Sequence, residues 1–148
     1  MKKLQLSLLM SALLFLFINA FILKEKDPLN KRFFDTKLTE IKEGQANIKP
    51  HSDEMEFKGG KVYSKILDEK LQYKGLKYTI NIDSTYTDAK DNEINYYALE
   101  VNIIDDKDQT VIMTCIINNA DISGEIKISK KEKLKKRFTF TGKAKVKN

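Results

Sequence analysis

The sequence contains few side chains whose types could perform chemistry, and His51 is the first of them. It is the only histidine in the chain, so it would be the only imidazole available as a general base or metal ligand. Its neighbours in sequence are Ser52 and Asp53. A Ser-His-Asp mechanism needs these groups arranged in space around one substrate atom, and adjacency in sequence does not provide that arrangement. We therefore predict that His51 is a solvent-exposed loop residue.

Cys115 is the single cysteine of the chain, so it cannot take part in an internal disulfide. It lies within the apolar run Thr110–Ile117, and a free cysteine in such a run packs as a small apolar side chain. A thiol becomes reactive when it is partly exposed and nearby positive charge lowers its pKa. We therefore predict that Cys115 is buried and inert.

Two groups of acidic residues could supply carboxylate oxygens to a cation. Ca²⁺ binds about six to eight oxygens, but neither group has the spacing of an EF-hand loop. Lys90 interrupts the first group and Lys107 the second, and each adds positive charge. The sequence therefore predicts solvated turns, and no metal site, at these two groups. They are Asp83, Asp88, Asp91 and Glu93 in the first, and Asp105, Asp106 and Asp108 in the second.

A basic stretch, Lys130–Arg137, could bind an anionic surface. Residues 129–148 contain nine Lys and Arg but only one acid, Glu132. Near an anionic membrane each cation contributes about 1 kcal/mol of attraction. No aromatic residue interrupts the stretch, whereas stacking aromatic side chains are typical of single-stranded nucleic-acid binding, so we expect no nucleic-acid partner. The alternative is that the stretch is a solvated hairpin turn between the last two strands.

β-Strands must position these side chains, because apolar and polar residues alternate with a period of two over most of the chain. The clearest run is Tyr96–Gly142, which we interpret as four consecutive strands joined by short turns. Earlier in the chain, Gly59-Gly60 supplies the positive φ values that a two-residue hairpin turn requires. The elements predicted before Tyr96 are a strand in Phe33–Glu43, a loop in Gly44–Asp53, a hairpin of Glu54–Lys58 and Lys61–Leu67, a helical turn in Asp68–Gly75, a strand in Lys77–Asp83 with Tyr78, Ile80 and Ile82 on one face, and a polar loop in Ser84–Asn95.

About eight short strands, mostly joined to their sequence neighbours, predict an all-β fold. An antiparallel up-and-down barrel closes on itself and so leaves no exposed sheet edge. We expect such a barrel, of about eight strands. The alternative is a two-sheet β-sandwich, which strand patterns alone do not separate from a barrel. A chain of 148 residues suffices for one domain, so we assign residues 24–148 to a single barrel.

A hydrophobic leader precedes this domain. Lys2 and Lys3 are followed by an apolar run, Leu4–Leu23, which predicts a helix. Residues 1–23 fit a secretory signal peptide that is removed near Ala20, but the run is also long enough for an uncleaved membrane anchor. We expect the rest of the chain to be exported, periplasmic or secreted, and to be membrane-anchored if the leader is kept.

Several short motifs resemble those of a known group of proteins. In order they are Phe57–Ser64, Tyr73–Gly75 with Tyr78, Asp121–Ile126 with Lys130-Lys131, and Phe138–Lys143. Together they resemble small exported bacterial lipocalin-like (calycin) β-barrel proteins, which are largely uncharacterised. The resemblance extends from about Asp27 to Lys145. It implies a lipocalin-like barrel and export, and it implies no catalytic residues.

The interior of such a barrel is where a small ligand would bind. A barrel of about eight strands is just wide enough either to be filled by its own side chains or to hold one small molecule. We expect an exported, non-enzymatic barrel that binds a small hydrophobic molecule or lipid at its open end. The predicted ligand-binding residues lie in alternating apolar rows and are Phe57, Tyr78, Tyr97, Phe138 and Phe140.

The alternative function is a structural or interaction module of the cell envelope without a small-molecule ligand. Such a module would use its surface, and would associate with the membrane through the leader or the basic hairpin. An enzyme is disfavoured because the sequence lacks a second imidazole, a thiol pair and a Gly-rich phosphate loop. We therefore expect no catalytic residues and no cofactor.

Overall fold

Nine β-strands and one short helix form the part of the chain that the computed structural model describes, residues 27–42, 44 and 48–145. The predicted leader, residues 1–23, lies outside this part. Within it, no helix has both the length and the hydropathy that a bilayer span requires. In chain order the elements are β1 (Arg32–Glu40), β2 (His51–Lys58), β3 (Lys61–Ser64), α1 (Lys65–Glu69), β4 (Leu76–Lys77), β5 (Thr79–Thr87), β6 (Glu93–Ile104), β7 (Gln109–Asn118), β8 (Asp121–Lys130) and β9 (Lys133–Ala144).

All nine strands belong to one antiparallel sheet, in the order β4-β3-β2-β1-β9-β8-β7-β6-β5. β1 and β9 pair side by side, with Leu38 opposite Phe140. β4 and β5 stand at the two ends of this order, yet only Tyr78 separates them in the chain. The run from Leu76 to Thr87 therefore joins both ends of the sheet, because it pairs first with β3 and then with β6. The barrel is nearly closed, and the predicted all-β up-and-down barrel is confirmed.

The core forms on the inward faces of the strands. In β6, Tyr97, Leu99 and Val101 are buried, whereas Glu100 and Asn102, which alternate with them, face outward. The alternation predicted for Tyr96–Gly142 is therefore confirmed in this strand, and β7 and β8 follow the same pattern. The buried apolar residues are Leu29, Phe34, Leu38, Met55, Phe57, Val62, Ile66, Leu67, Leu76, Tyr78, Tyr97, Leu99, Val101, Val111, Met113, Cys115, Ile117, Ile122, Ile126, Ile128, Phe138 and Phe140.

A two-stranded arm replaces most of the polar loop predicted for residues 84–95. β5 continues to Thr87 and β6 begins at Glu93. Tyr96 pairs with Asn118, the last residue of β7, and the part of β6 before Tyr96 pairs with β5 alone. Every residue of β5 except Ile80 is exposed. The prediction was wrong because a strand exposed on both faces has the polar composition of a loop.

A β-bulge in β5 changes which of its residues face the core. The sequence predicted Ile80 and Ile82 on one face, but the register shifts between them: Ile80 pairs with Leu99 and Ile82 with Ala98. An extra residue in one strand turns the residues after it to the opposite face. Ile80 consequently packs against the core, whereas Ile82 lies on the outside of the barrel and is 50% exposed.

The helix begins at Lys65, earlier than the helical turn predicted for Asp68–Gly75, and β3 ends at Ser64. The Ser64 hydroxyl caps the helix by accepting a hydrogen bond of 3.1 Å from the Leu67 N–H. The buried carboxylate of Asp53 in turn accepts hydrogen bonds from the Ser64 hydroxyl and the Lys65 N–H. A side chain of β2 therefore fixes the point at which the chain changes from strand to helix.

Candidate functional site

The five aromatic residues predicted to bind a ligand all lie in the core. Their exposed fractions run from 0% for Phe57 to 9% for Tyr97. The rings of Phe57 and Tyr78 are in edge contact, with centroids 5.4 Å apart, and Phe138 and Phe140 face inward from β9. A side chain with no accessible surface, such as Phe57, touches no space as large as a water molecule. A ligand among these rings would have to displace packed side chains, so their predicted binding role stays a prediction.

The hydroxyl of Tyr78 is already engaged within the protein. It donates a hydrogen bond of 2.7 Å to Oδ2 of Asp27. Burial, and then this bond, strongly raise the pKa of Tyr78. The same carboxylate oxygen accepts a bond of 3.2 Å from the Gly60 N–H. Asp27 therefore ties the segment before β1 to the β2–β3 turn through Gly60 and to the run that closes the barrel through Tyr78.

His51, Ser52 and Asp53 lie in β2, where the sequence predicted a loop. His51 is exposed, as predicted, whereas Asp53 faces inward and is buried. Oδ1 of Asp53 accepts hydrogen bonds from the N–H groups of Glu54 and Lys65, at 2.9 and 3.1 Å. Asp53, the carboxylate that could orient His51, instead accepts a hydrogen bond at the start of α1.

The thiol of Cys115 and the carboxylate of Asp105 have structural roles. Cys115 is 2% exposed, which confirms its predicted burial, and burial raises the pKa of its thiol to about 12. Oδ1 of Asp105 accepts bonds from the N–H groups of Lys107 and Gln109 and so builds the β6–β7 turn. Among residues 27–42, 44 and 48–145, no group of three or more His, Cys, Asp or Glu side chains is placed to hold a metal ion.

A cleft at one end of the barrel brings together four lysines from three parts of the chain. Lys70 follows α1, Lys107 lies in the β6–β7 turn, and Lys135 and Lys136 lie in β9. The cleft has a volume of about 310 Å³, and we call it the lysine cleft. Its other lining residues are Leu71, Gln72, Tyr73, Gln109 and Ile128.

The lining of the lysine cleft contains no carboxylate. Among the described residues, none of its four lysines forms a salt bridge. Nζ of Lys107 donates a hydrogen bond of 3.0 Å to the neutral Oε1 of Gln72. Behind the lining, the carboxylates of Asp105 and Asp106 act on Tyr73, and Asp105 also attracts Lys107. Positive charge in the cleft is therefore partly offset but remains in excess, and this excess favours an anion.

Tyr73 fixes one wall of the cleft. Its N–H donates to the carbonyl oxygen of Leu67 at 2.8 Å, and its hydroxyl donates to Oδ2 of Asp105 at 3.0 Å. These bonds tie the segment after α1 to the β6–β7 turn. Burial, and then the bond to Asp105, raise the pKa of Tyr73 to about 12, so the hydroxyl stays protonated at pH 7 and keeps its bond to Asp105.

Two of the four lysines of this cleft are evident from the sequence. Lys135 and Lys136 belong to the basic stretch Lys130–Arg137. Lys70 and Lys107 are isolated cations among acidic neighbours, so neither gives a signal in the sequence. Their place in the cleft follows from the barrel, which brings the end of α1, the β6–β7 turn and the base of the β8–β9 hairpin to the same end.

Comparisons of the chain with protein-family models, with curated proteins and with solved structures return no match. The resemblance to exported lipocalin-like barrels therefore stays a prediction.

Proposed function

We infer that this protein is an exported, non-enzymatic module of the cell envelope that binds the phosphate groups of anionic lipids in the lysine cleft. The observation that carries this proposal is the convergence of Lys70, Lys107, Lys135 and Lys136 on a space of about 310 Å³ whose lining contains no carboxylate.

The chemistry of the lining suits a phosphate group. A lysine ammonium is a compact point charge with three donors, and it binds phosphate without requiring one fixed orientation. Gln72 and Gln109 add amide groups that can donate further hydrogen bonds. The apolar side chains of Leu71 and Ile128 lie beside them. An amphipathic head group, charged at one end and apolar at the other, fits this combination.

The packing of the interior supports a surface site over an interior one. The side chains of Phe57, Met55 and Val62 have no accessible surface, and neither do Val101 and Met113 across the barrel. Binding at the barrel end requires no such side chain to move. The basic β8–β9 hairpin continues the charge beyond the cleft, because Lys130, Lys131 and Lys133 are all exposed.

Vesicle co-sedimentation tests the proposal. The full chain is mixed with vesicles of neutral phosphatidylcholine, or of phosphatidylcholine with phosphatidylglycerol, and the bound fraction is measured at low and high salt. We expect preferential binding to the anionic vesicles, weakened by salt because exposed charges are screened. In the variant Lys135→Gln with Lys136→Gln, loss of two cations at about 1 kcal/mol each should weaken binding roughly thirtyfold.

The matched control is Lys61→Gln with Lys77→Gln. These two lysines are exposed, pair with each other across β3 and β4, and lie outside the cleft. Both double variants lose the same charge, so an equal loss of binding would attribute the effect to net charge and overturn the cleft. Equal binding to neutral and anionic vesicles would overturn the function. Displacement from the vesicles by inorganic pyrophosphate, and not by chloride at equal ionic strength, would show that the cleft recognises the phosphate group.

A further inference from the structure

β5 has a free edge at the end of the barrel opposite the lysine cleft. In the described part of the chain no strand pairs with the edge of β5 that faces away from β6. Along the same edge, Leu76 pairs with Val62 of β3, and the Tyr78 N–H donates to the carbonyl oxygen of Gly60 at 3.2 Å. Beyond Tyr78, no strand of the described part of the chain lies beside this edge. Unpaired N–H and C=O groups in an exposed edge strand are a template for another strand.

The hydrogen bonds of Asn95 show which groups of β5 point to the free edge. Its N–H donates to Oδ1 of Asn119 at 2.8 Å, and its carbonyl oxygen accepts from the Asn119 N–H at 2.9 Å. Both groups therefore point away from β5. Opposite residues in an antiparallel ladder either bond each other or both point away, so Thr85, opposite Asn95, directs its N–H and C=O to the free edge. By alternation, Asp83 and Thr87 do the same.

Apolar side chains accompany this edge on the outside of the barrel. Ile82 and Tyr86 of β5 are 50% and 47% exposed. Ile82 pairs with Ala98, and Ala98 with Ile116, which is 43% exposed. Tyr86 pairs with the partly exposed Ile94. The outer face therefore carries two short apolar rows that both end at the free edge.

We propose that β5 pairs antiparallel with β5 of a second copy of the chain, with Ser84 lying opposite Ser84 of that copy. This register sets Thr85 opposite Asp83 of the second copy, and both residues direct their hydrogen-bonding groups to the free edge. It also sets Ile82 opposite Tyr86 of the second copy, so the two apolar rows of each subunit continue into those of the other.

Neighbouring registers with the same hydrogen-bonding pattern are less favourable. Centring the pair on Asp83 places two like charges directly opposite each other, which destabilises a sheet. Centring it on Thr85 places Ile82 opposite Asp88. Asp83 is the single charged side chain of β5. The register centred on Ser84 places the two Asp83 side chains diagonally, about 7–8 Å apart, and so weakens their repulsion while it joins the apolar residues.

Charge at the two turns agrees with this arrangement. In an antiparallel pair, the β5–β6 turn of one copy extends along the start of β5 of the second copy. It therefore lies beside the β2–β3 turn of the second copy. The first turn carries two acids and one lysine, Asp88, Asp91 and Lys90, and the second is flanked by Lys58 and Lys61. A turn with a net negative charge therefore lies beside a turn with a net positive charge twice across the two-fold axis. The interface lies away from the lysine cleft, so it does not depend on lipid binding there.

Disulfide cross-linking tests both the partner and the register. The full chain in a non-ionic detergent is oxidised with copper phenanthroline and analysed by non-reducing electrophoresis. Residues opposite each other in a non-hydrogen-bonded pair have Cβ atoms about 4.5–5.5 Å apart, close to the spacing of a disulfide. We expect Ser84→Cys to form a covalent dimer. The control, Thr141→Cys, is an exposed position on the outer face of β9 and should stay monomeric, as should the unmodified chain with its buried Cys115.

A second substitution in the Ser84→Cys chain tests the edge itself. Thr85→Pro removes an N–H that points to the free edge, so it should abolish cross-linking while the β5–β6 ladder remains. Tyr86→Glu places a carboxylate opposite Ile82 and should have the same effect. Far-UV circular dichroism verifies that each variant is folded. A folded Ser84→Cys chain that stays monomeric, or that cross-links no better than Thr141→Cys, would overturn the proposal. Cross-linking that survives both substitutions would overturn it as well.

Discussion

Replacement of Gly124 by Ala should destabilise the barrel by about 2–3 kcal/mol, although both residues are small. Gly124 lies opposite Phe140 in the β8–β9 ladder. A methyl group on Gly124 would come within 2.2 Å of the carbonyl oxygen of Thr114 and 2.4 Å of Cζ of Phe140. Overpacking of a core costs about 1–3 kcal/mol, and an overlap with backbone lies at the upper end. The reduced freedom of the unfolded chain returns about 0.4–1 kcal/mol.

Urea unfolding followed by far-UV circular dichroism measures this effect, since the chain has no tryptophan. For a slope of about 1–2 kcal/mol per M, the midpoint should fall by about 1–3 M. Ser123→Ala is the control, because Ser123 is exposed on the same strand and should change the stability by about 0.5 kcal/mol or less. The double variant Gly124→Ala with Phe140→Leu should lose less than the sum of its parts. A Gly124→Ala midpoint equal to that of Ser123→Ala would refute the steric reasoning.

Three further predictions concern the core. Phe140→Ala should cost about 3–5 kcal/mol in urea unfolding, whereas His51→Ala, at an exposed position, should stay within about 0.5 kcal/mol; a severe loss from His51→Ala would contradict its placement. Cys115 should resist a thiol reagent in the folded chain at pH 9 and react after unfolding; because its pKa rises from 9.0 to about 12, its contribution to stability is complete below pH 9 and declines towards pH 12. If the predicted aromatic residues bind a hydrophobic molecule, native mass spectrometry will detect saturable uptake of a fatty acid that a folded Tyr97→Ala chain loses, and no uptake would refute that role.

The strands that are exposed on one face were predictable from the sequence. Tyr97, Leu99 and Val101 alternate with polar residues, and that alternation alone indicates a half-buried strand. The Gly59-Gly60 hairpin was predictable for a different reason: both residues have positive φ, 59° and 74°, and glycine adopts such values without steric cost. Where one face is apolar or a turn demands glycine, local sequence and tertiary structure agree.

The features that the sequence did not reveal depend on contacts between distant residues. Nothing in the sequence near Ser64 indicates that Asp53 holds the start of α1. The bulge between Ile80 and Ile82 leaves an apparently regular apolar alternation in the sequence, although the two side chains lie on opposite faces. Half of the lysine cleft is not evident from the sequence, because only the closure of the barrel brings Lys70 and Lys107 to the same cleft as Lys135.

The pairing of β1 with β9 has a consequence for the order in which the protein folds. β6, β7, β8 and β9 form consecutive hairpins, so their contacts close short loops at low entropic cost. Leu38 meets Phe140 across about a hundred intervening residues, and closure entropy grows with loop length. Contacts of long range slow folding. We therefore expect the four-stranded meander to form first and the β1–β9 seam to close last, so an unfinished barrel would expose one edge of β9 during biosynthesis.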